Sequence, residues 1–248
     1  MIEQVFDTGH MSVVDRVQAL AELRALDQRF RPVTLADRQV LPVSEHLLPL
    51  LPWDGLRRST TVATAGEARV SLACALVAEA TTTGSWVVVV GMPQLGLAAA
   101  DELGVALDRI ALVPDVDRQA WPTVVAALVD AVDLVLLGPT RARHADVRRV
   151  LARARERGTV LVPVGDWWPE PVDLTLTGAS SRWHGLGTGH GQLRARRVRV
   201  EARGRRDASR PRATELWLPA DGGGVSAVGH PSANPRSSSE PVRLRAVP

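Results

Sequence analysis

Hydrophobic residues follow two different spacings along residues 58–164. Short continuous apolar runs are typical of strands that are covered on both faces. Between these runs, apolar residues recur at three and four positions, which is typical of amphipathic helices. The predicted strands are Ser59–Ala63, Trp86–Val90, Ile110–Val113, Leu134–Leu137 and Thr159–Val164, and the predicted helices are Glu67–Thr81, Leu95–Leu103, Trp121–Asp130 and Ala142–Arg157. Strands that alternate with helices of this length predict βαβ units and a parallel sheet.

After Asp166 the apolar residues follow a different pattern. Three segments alternate apolar and polar residues with no helical spacing between them: Val172–Thr177, Gln192–Ala202 and Thr214–Leu218. Such alternation predicts half-buried strands, which we expect to extend the sheet in antiparallel fashion. In the middle segment we expect one basic face and one buried face, the latter formed by Leu193, Ala195, Val198 and Val200.

These patterns divide the chain into three parts. Residues 1–41 contain a predicted helix over Val13–Phe30 and a linker. Residues 42–218 form an α/β core, with a mostly parallel central sheet flanked by helices and an antiparallel extension on its C-terminal side. Residues 219–248 are rich in glycine, serine and proline, so we expect a disordered tail.

The composition indicates the cellular compartment in which the protein is expected. Cys74 is the single cysteine, which excludes an internal disulfide and fits a reducing compartment. No run of about 18 apolar residues is present, so we expect no membrane span. The N-terminus has no basic segment followed by an apolar run, so no secretory signal is evident. These features predict a cytoplasmic protein.

Charge is distributed unevenly along the chain. Residues 1–178 carry 17 arginines and 22 acidic residues, a balance of −5, whereas residues 179–248 carry 13 arginines and 5 acidic residues, a balance of +8. This asymmetry indicates an acidic partner for the C-terminal part, with nucleic acid as one candidate. The alternative is a solvated surface in a protein whose codon usage favours arginine.

All 30 basic residues are arginine, and lysine is absent. A phosphate-binding loop of the Walker A type needs a lysine ammonium beside the nucleotide phosphates, and glycines around it. The defined positions of its template, G-x-x-x-x-G-K-[ST], meet Ala63, Ala68, Arg69 and Val70, and only Gly66 supplies a bare backbone. Because Val70 cannot ligate magnesium and the planar Arg69 fork is no substitute for a compact ammonium, we expect no nucleotide cofactor.

The order of the elements over residues 42–218 resembles the RecA family core, and within it the ImuA-prime type of RecA relative found in actinobacteria. The resemblance is carried by an entry segment, by the segment where Walker A would stand, by a helix–strand step and by a Walker B-like strand: Leu41–Leu56, Val62–Leu72, Leu103–Val113 and Val132–Leu137. Gly138 stands where the family has the Walker B aspartate, and no acidic residue lies between Trp86 and Ala100, where the family has its catalytic glutamate. These departures predict that the protein is not an enzyme.

The resemblance implies an accessory protein of a damage-induced mutasome. Its implied partners are ImuB, an error-prone C-family DNA polymerase and a RecA recombinase, and the implied role is assembly of translesion synthesis on damaged DNA, associated with the nucleoid. Two alternatives stay open. One is a cell-division inhibitor of the SulA type, which binds a tubulin-like division protein, and the other is an ATPase with an atypical nucleotide-binding loop.

Several residues are candidates for binding a partner or single-stranded DNA. Trp167 and Trp168 follow a predicted parallel strand, where open α/β sheets bind ligands, although one indole could instead pack under the sheet. Arg182 and Trp183 combine a cation with an aromatic ring, as single-strand binders do. Further arginines are expected to bind phosphates or to form a solvated face: Arg194, Arg196, Arg197 and Arg199.

Two further motifs lie towards the C-terminus. The glycine-rich stretch Gly185–Gly191 precedes an arginine-rich strand and no helix, so it indicates a hairpin loop and not a dinucleotide fingerprint. The last residues alternate apolar and arginine positions, including Arg243 and Arg245, and are a candidate peptide that adds a strand to a partner.

Overall fold

The structure is a computed structural model, and it describes residues 40–187 and 190–229. The predicted helix Val13–Phe30 and the tail residues Arg243 and Arg245 lie outside the described residues.

Strands and helices alternate along the described core, as the sequence predicts. The strands are β1 (Val40–Leu41), β2 (Leu56–Arg57), β3 (Val62–Gly66), β4 (Val87–Val90), β5 (Ile110–Val113), β6 (Leu134–Leu137), β7 (Val160–Pro163), β8 (Leu174–Gly187), β9 (His190–Gly204), β10 (Arg212–Trp217) and β11 (Ser226–Ala227). The α-helices are α1 (Arg69–Thr82), α2 (Leu97–Glu102), α3 (Trp121–Ala131) and α4 (His144–Arg157). Single 3-10 turns lie at Leu48–Leu50, Leu107–Arg109 and Arg206–Ala208.

The main strands form two sheets that lie side by side. The first sheet is parallel, with the order β5-β4-β6-β7, and the second has the order β3-β8-β9-β10-β11. Isolated parallel bridges join Thr61 to Leu161 and Thr64 to Val164, so β3 lies beside β7. The predicted α/β class, with a parallel sheet and an antiparallel extension, is confirmed. One detail differs, because β8 runs parallel to β3 and the antiparallel part begins at β9.

Helices cover the parallel strands on both faces, which explains their continuous apolar runs. Every residue of β4, β6 and β7 is buried. On one face, α1 and the segment with Leu47 and Leu50 cover the sheet. On the other face, α3 and α4 pack against Val88 and Val135.

The amphipathic pattern of α4 is present as predicted. Val147, Val150, Leu151 and Ala154 are buried, and the helix ends at Gly158 in the left-handed conformation, with φ 76°. On the exposed side Arg153 and Arg157 form ion pairs with Asp130 of α3. The hydrogen bond from Arg153 is the main reason that the pKa of Asp130 lies below its usual value.

The segment 219–229 belongs to the folded core, so the predicted disorder is wrong for these residues. Ala220 is 1% exposed, β11 pairs with β10, and the Gly224 amide donates a 2.6 Å hydrogen bond to the Glu102 carbonyl of α2. Gly222, Gly223 and Gly224 all adopt positive φ. The glycines that suggested flexibility therefore form a turn that only glycine adopts without strain.

This packing predicts different effects for two truncations. Deleting residues 219–248 removes the buried Ala220 and the β11 pairing, so we expect the melting temperature to fall by roughly 4–8 °C, as for a loss of about 2 kcal/mol in a chain of this size. Deleting only residues 230–248 should leave the melting temperature within about 1 °C of the full chain. Thermal unfolding followed by circular dichroism measures both melting temperatures. Equal values for the two truncated proteins would contradict the assignment of residues 219–229 to the folded core.

Candidate binding surface at the carboxyl edge of the sheet

The parallel strands β3, β4, β6 and β7 end at one edge of the sheet. Open α/β sheets bind ligands at this edge, in the crevice where successive connections leave in opposite directions. Here the connection from β4 leads to β5 on one side, and the connection from β6 leads to β7 on the other side. The crevice expected from the topology therefore lies between the ends of β4 and β6.

Two residues, Glu67 and Ala68, connect β3 to α1, so this turn is too short to form a phosphate-binding loop. Gly66 has φ 76°, and a Cβ atom there would lie 2.4 Å from the Gly178 carbonyl oxygen of β8. A Cβ atom on Gly178 would in turn lie 3.1 Å from the Cβ of Ala68. The backbones of the turn and of β8 are thus in close contact at the position where the resemblance places the phosphate-binding loop.

The other template positions are equally unsuited to a nucleotide. Ala63 lies inside β3 and is 7% exposed. Arg69 begins α1, donates a 3.3 Å hydrogen bond to the Gly66 carbonyl, and has its side chain near Gly165. Val70, at the position of the Walker hydroxyl, is 37% exposed. These positions thus lack the second glycine, the ammonium and the hydroxyl of a Walker A loop.

The end of β6 is closed by the loop that follows β4. The Gly138 amide donates a 2.8 Å hydrogen bond to the Val90 carbonyl. A Cβ atom on Gly138 would lie 2.2 Å from the Gly91 carbonyl oxygen and 2.5 Å from Cγ of Met92. No side chain fits without a shift of the backbone, so an aspartate at this position is incompatible with the observed packing.

The two adjacent tryptophans are half-buried. Trp167 and Trp168 contact each other edge to face, with ring centroids 5.2 Å apart, and both pack against the core between the sheet and the α3–α4 pair. The Trp167 indole N–H donates a 3.1 Å hydrogen bond to the Val164 carbonyl. These contacts correspond to the packing alternative, and they leave only part of each ring for a partner.

The β8–β9 hairpin extends past its neighbouring strands at the same edge. β3 pairs with β8 only as far as Gly178, and β10 pairs with β9 from Ala202 to Arg197. We call residues 179–196 the arm. The predicted hairpin is confirmed, but its strands extend into the glycine-rich stretch, because Leu186 pairs with Gly191 and Gly187 pairs with His190.

One face of the arm carries an ordered polar cluster. Trp183 lies directly opposite Arg196, whose guanidinium carbon is 5.5 Å from the indole centroid. Arg196 donates a 2.9 Å hydrogen bond to Oγ of Ser181, and this hydroxyl donates a 2.6 Å hydrogen bond to Glu67. The side chain of Arg196 is 12% exposed, whereas Trp183 is 44% exposed. The cluster thus holds the Trp183 indole in place while part of the ring remains exposed to solvent.

The opposite face of the arm and its base is basic. Arg182 lies opposite Arg197 in the strand ladder, and Arg197 forms an ion pair with Glu215 of β10. Arg199 approaches Glu201 at 3.6 Å. Arg182 and Arg194 are exposed, and neither has a carboxylate partner among the described residues.

The predicted alternation of β9 is only partly correct. Val198, Val200 and Ala195 are buried as expected, but Leu193 is 51% exposed because it lies further along the arm, past the part of β9 that β10 reaches. Arg196 lies on the same side of the strand as Val198, where its hydrogen bonds and ring contact replace apolar packing.

Glu67 and Ser181 were missed by the sequence analysis. They are 114 positions apart, and no spacing rule connects a turn residue to a strand at that distance. The structure brings them together because β8 pairs with β3 in parallel.

Within the described residues, the single thiol is buried and the metal-ligating side chains form no cluster. Burial raises the pKa of the Cys74 thiol to about 11, so this sulfur is protonated near neutral pH. Within residues 40–187 and 190–229, His, Cys, Asp and Glu form no group of three that could hold a metal ion. Every helix in that part of the chain is too short or too polar to cross a lipid bilayer.

The closed turn predicts that restoring the Walker residues alone does not create a nucleotide site. The double variant Arg69→Lys, Val70→Thr should show the same melting temperature with and without millimolar ATP and magnesium, as should the unchanged chain. A ligand at 100 times its Kd adds about 2.7 kcal/mol, which a thermal-shift titration detects as several degrees. A shift of that size in the unchanged chain would contradict the prediction that no nucleotide binds at the turn between β3 and α1.

Comparison with known proteins places the chain beside sequences whose names state no activity. Residues 49–170 match the family model of the MT3502 N-terminal domain. The chain is also 46% identical over 101 residues to the uncharacterized protein Rv3395c of Mycobacterium tuberculosis (strain ATCC 25618 / H37Rv). That match covers 39% of this chain and 48% of the relative, so the chain spans about half the length of the relative that it matches.

Proposed function

We propose that this protein is a non-catalytic, RecA-like accessory protein of a damage-induced mutasome. In this role it assembles translesion DNA synthesis by contacting ImuB and an error-prone C-family DNA polymerase in the cytoplasm, at the nucleoid. Its contribution is a docking platform, and no bond is made or broken by its own residues.

The arrangement of the sheet supports the RecA-like part of the proposal. The first strand of the core, β3, lies between the last parallel strand β7 and the strand β8 that begins the antiparallel extension. The Walker B-like strand β6 ends at the same edge as β3, separated from it by β7. The segments that the resemblance compares with Walker A and Walker B therefore end at the same edge of the sheet.

The observation that carries the proposal is the closed carboxyl edge. Close backbone contacts at Gly66 and Gly178, and again at Gly138 and Gly91, lie where the resemblance places the phosphate loop and the metal-binding aspartate. Because the phosphate loop and the metal-binding aspartate are both absent, the retained scaffold favours binding of other macromolecules over ATP hydrolysis. The ATPase alternative would require both contacts to open.

The proposal predicts which proteins bind the chain in damaged cells. Affinity capture of the full chain after DNA damage should recover the ImuB homologue and the C-family polymerase, identified by mass spectrometry. Undamaged cells and an unrelated α/β bait of similar charge provide the controls. Recovery of the tubulin-like division protein without these two partners would favour the SulA-type alternative and contradict the proposal.

A second affinity-capture experiment tests whether the tail, residues 230–248, contributes to partner binding. Removal of residues 230–248 eliminates Arg243 and Arg245 but leaves the described core complete. If the tail adds a strand to a partner, this variant should recover at least tenfold less of one partner, as should the double variant Arg243→Glu, Arg245→Glu. Equal recovery with all three baits would assign partner binding to the core.

A further inference from the structure

The helices on one face of the sheet end at α4, although the sheet continues beyond it. The apolar cluster under α3 and α4 contains no residue of β3 or β8. β8 is a central strand, yet Thr175 and Thr177 on this face are only half-buried, whereas Leu174 and Leu176 on the opposite face are fully buried. Within the described residues, the position beside α4 and over β3 and β8 is thus uncovered, and in α/β proteins helices occupy positions of this kind.

The side of α4 that borders this position is basic. Arg153 pairs with Asp130 of α3, and residues two apart on a helix point about 200° apart, so Arg155 lies on the side away from α3. Arg148 lies two turns before it on that same side. The Arg155 side chain is exposed and has no partner among the described residues, and Arg148 approaches Glu170 only at 3.9 Å. A segment that packs here is therefore expected to be acidic.

The chain before Val40 enters the described structure next to this position. Val40 pairs with Arg57, and Ser59, two residues further along, donates a 2.9 Å hydrogen bond to the Arg155 carbonyl at the end of α4. Nine residues link the predicted N-terminal helix to Val40, and they span at most about 30 Å. The helix predicted over Val13–Phe30 can thus reach α4 and lie parallel to it.

The predicted helix has acidic residues at the spacing of the two arginines. Asp15 and Glu22 are seven residues apart, as are Arg148 and Arg155, which corresponds to about 10.5 Å along either helix. Parallel packing therefore brings both acids to both arginines at once.

Small residues lie between the charged residues on both helices. Ala19 follows Asp15 by four positions, and Ala152 follows Arg148 by four positions. Small side chains at a contact allow helix axes to approach to about 8 Å, so the alanines permit the ion pairs to form.

The same orientation places apolar residues over the sheet. Leu23 and Phe30 lie about a quarter turn from the two acids, on the side that faces β3 and β8 when the helix runs parallel to α4. The strand residues on this face are small, and they are Ala63, Ala65, Thr175 and Thr177. Small side chains let a helix approach the sheet closely.

Two other segments fit this position less well. The tail, residues 230–248, carries three arginines and one acidic residue, so the basic side of α4 repels it. A second copy of α4 would bring arginine against arginine.

We propose that the helix Val13–Phe30 docks within its own chain beside α4, over β3 and β8, with Asp15 paired to Arg148 and Glu22 paired to Arg155. The docked helix extends the layer formed by α3 and α4 over the second sheet. The proposal concerns packing within one chain and does not depend on the mutasome partners.

The first test is cross-linking of the full chain. Ala19→Cys with Ala152→Cys should be joined within one chain by a bismaleimide that spans about 8 Å, the separation of closely packed helices. Ala21→Cys with Ala152→Cys is the matched control and should give about fivefold less product, because Ala21 lies on the opposite side of the predicted helix. Cys74 is buried and does not compete. Denaturing electrophoresis and mass spectrometry identify the product.

The second test is a charge exchange, followed by maleimide labelling of Ala152→Cys alone. Arg155→Glu should raise the labelling rate about threefold, the effect of losing one exposed ion pair, and adding Glu22→Arg should restore the slow rate. Arg149→Glu is the control and should leave the rate unchanged, because Arg149 pairs with Asp146 and lies about a third of a turn from Arg155. Melting temperatures verify that every variant is folded.

Three results would overturn the proposal. They are a cross-linked product that joins two chains, equal yields from the Ala19→Cys and Ala21→Cys proteins, and a labelling rate that Glu22→Arg does not restore. The first result would assign the position beside α4 to the N-terminal helix of a second copy. None of these results alters the partner capture described above.

Discussion

Close contact between backbones at the carboxyl edge of the sheet is the constraint on which the other features depend. Because β8 pairs with β3 in parallel, Gly66 lies beside Gly178, and only glycine permits the carbonyl oxygen of one strand to approach the other so closely. This contact shortens the connection to α1 to two residues and brings Glu67 next to Ser181. The same edge of the sheet therefore anchors the polar cluster that contacts Trp183.

The arm is anchored by buried residues of β9 at the point where it joins the core. Val198 and Val200 are fully buried between the sheet and the segments that cover it, whereas no residue from Arg182 to Leu186 or from Gly191 to Arg194 is buried. The buried residues where the hairpin joins the core thus fix the position of Trp183 relative to the parallel strands.

Sequence patterns located the core elements well where apolar residues are continuous or recur at helical spacing. The bounds of β5 and β6 agree with the structure to the residue, and α3 and α4 differ by one or two residues at an end, because continuous or periodic apolar residues have few alternative interpretations. The predictions fail where a residue has a special conformation or a distant partner. The composition of Gly222–Gly224 predicts flexibility, but these residues form a turn with positive φ. The alternation of β9 predicts a buried Leu193, but this side chain is exposed. The hydrogen bonds from Arg196 to Ser181 and from Ser181 to Glu67 depend on strand pairing that no local pattern encodes.

The absence of lysine has a consequence for how the arm can be regulated. An arginine side chain keeps its proton throughout the physiological range, and it is not a substrate for lysine acetylation. The positive potential of Arg182, Arg194 and their neighbours is therefore constant with pH and cannot be cancelled by acyl groups. Ionic strength is therefore the variable that changes the reach of this potential, because dissolved salt screens exposed charges.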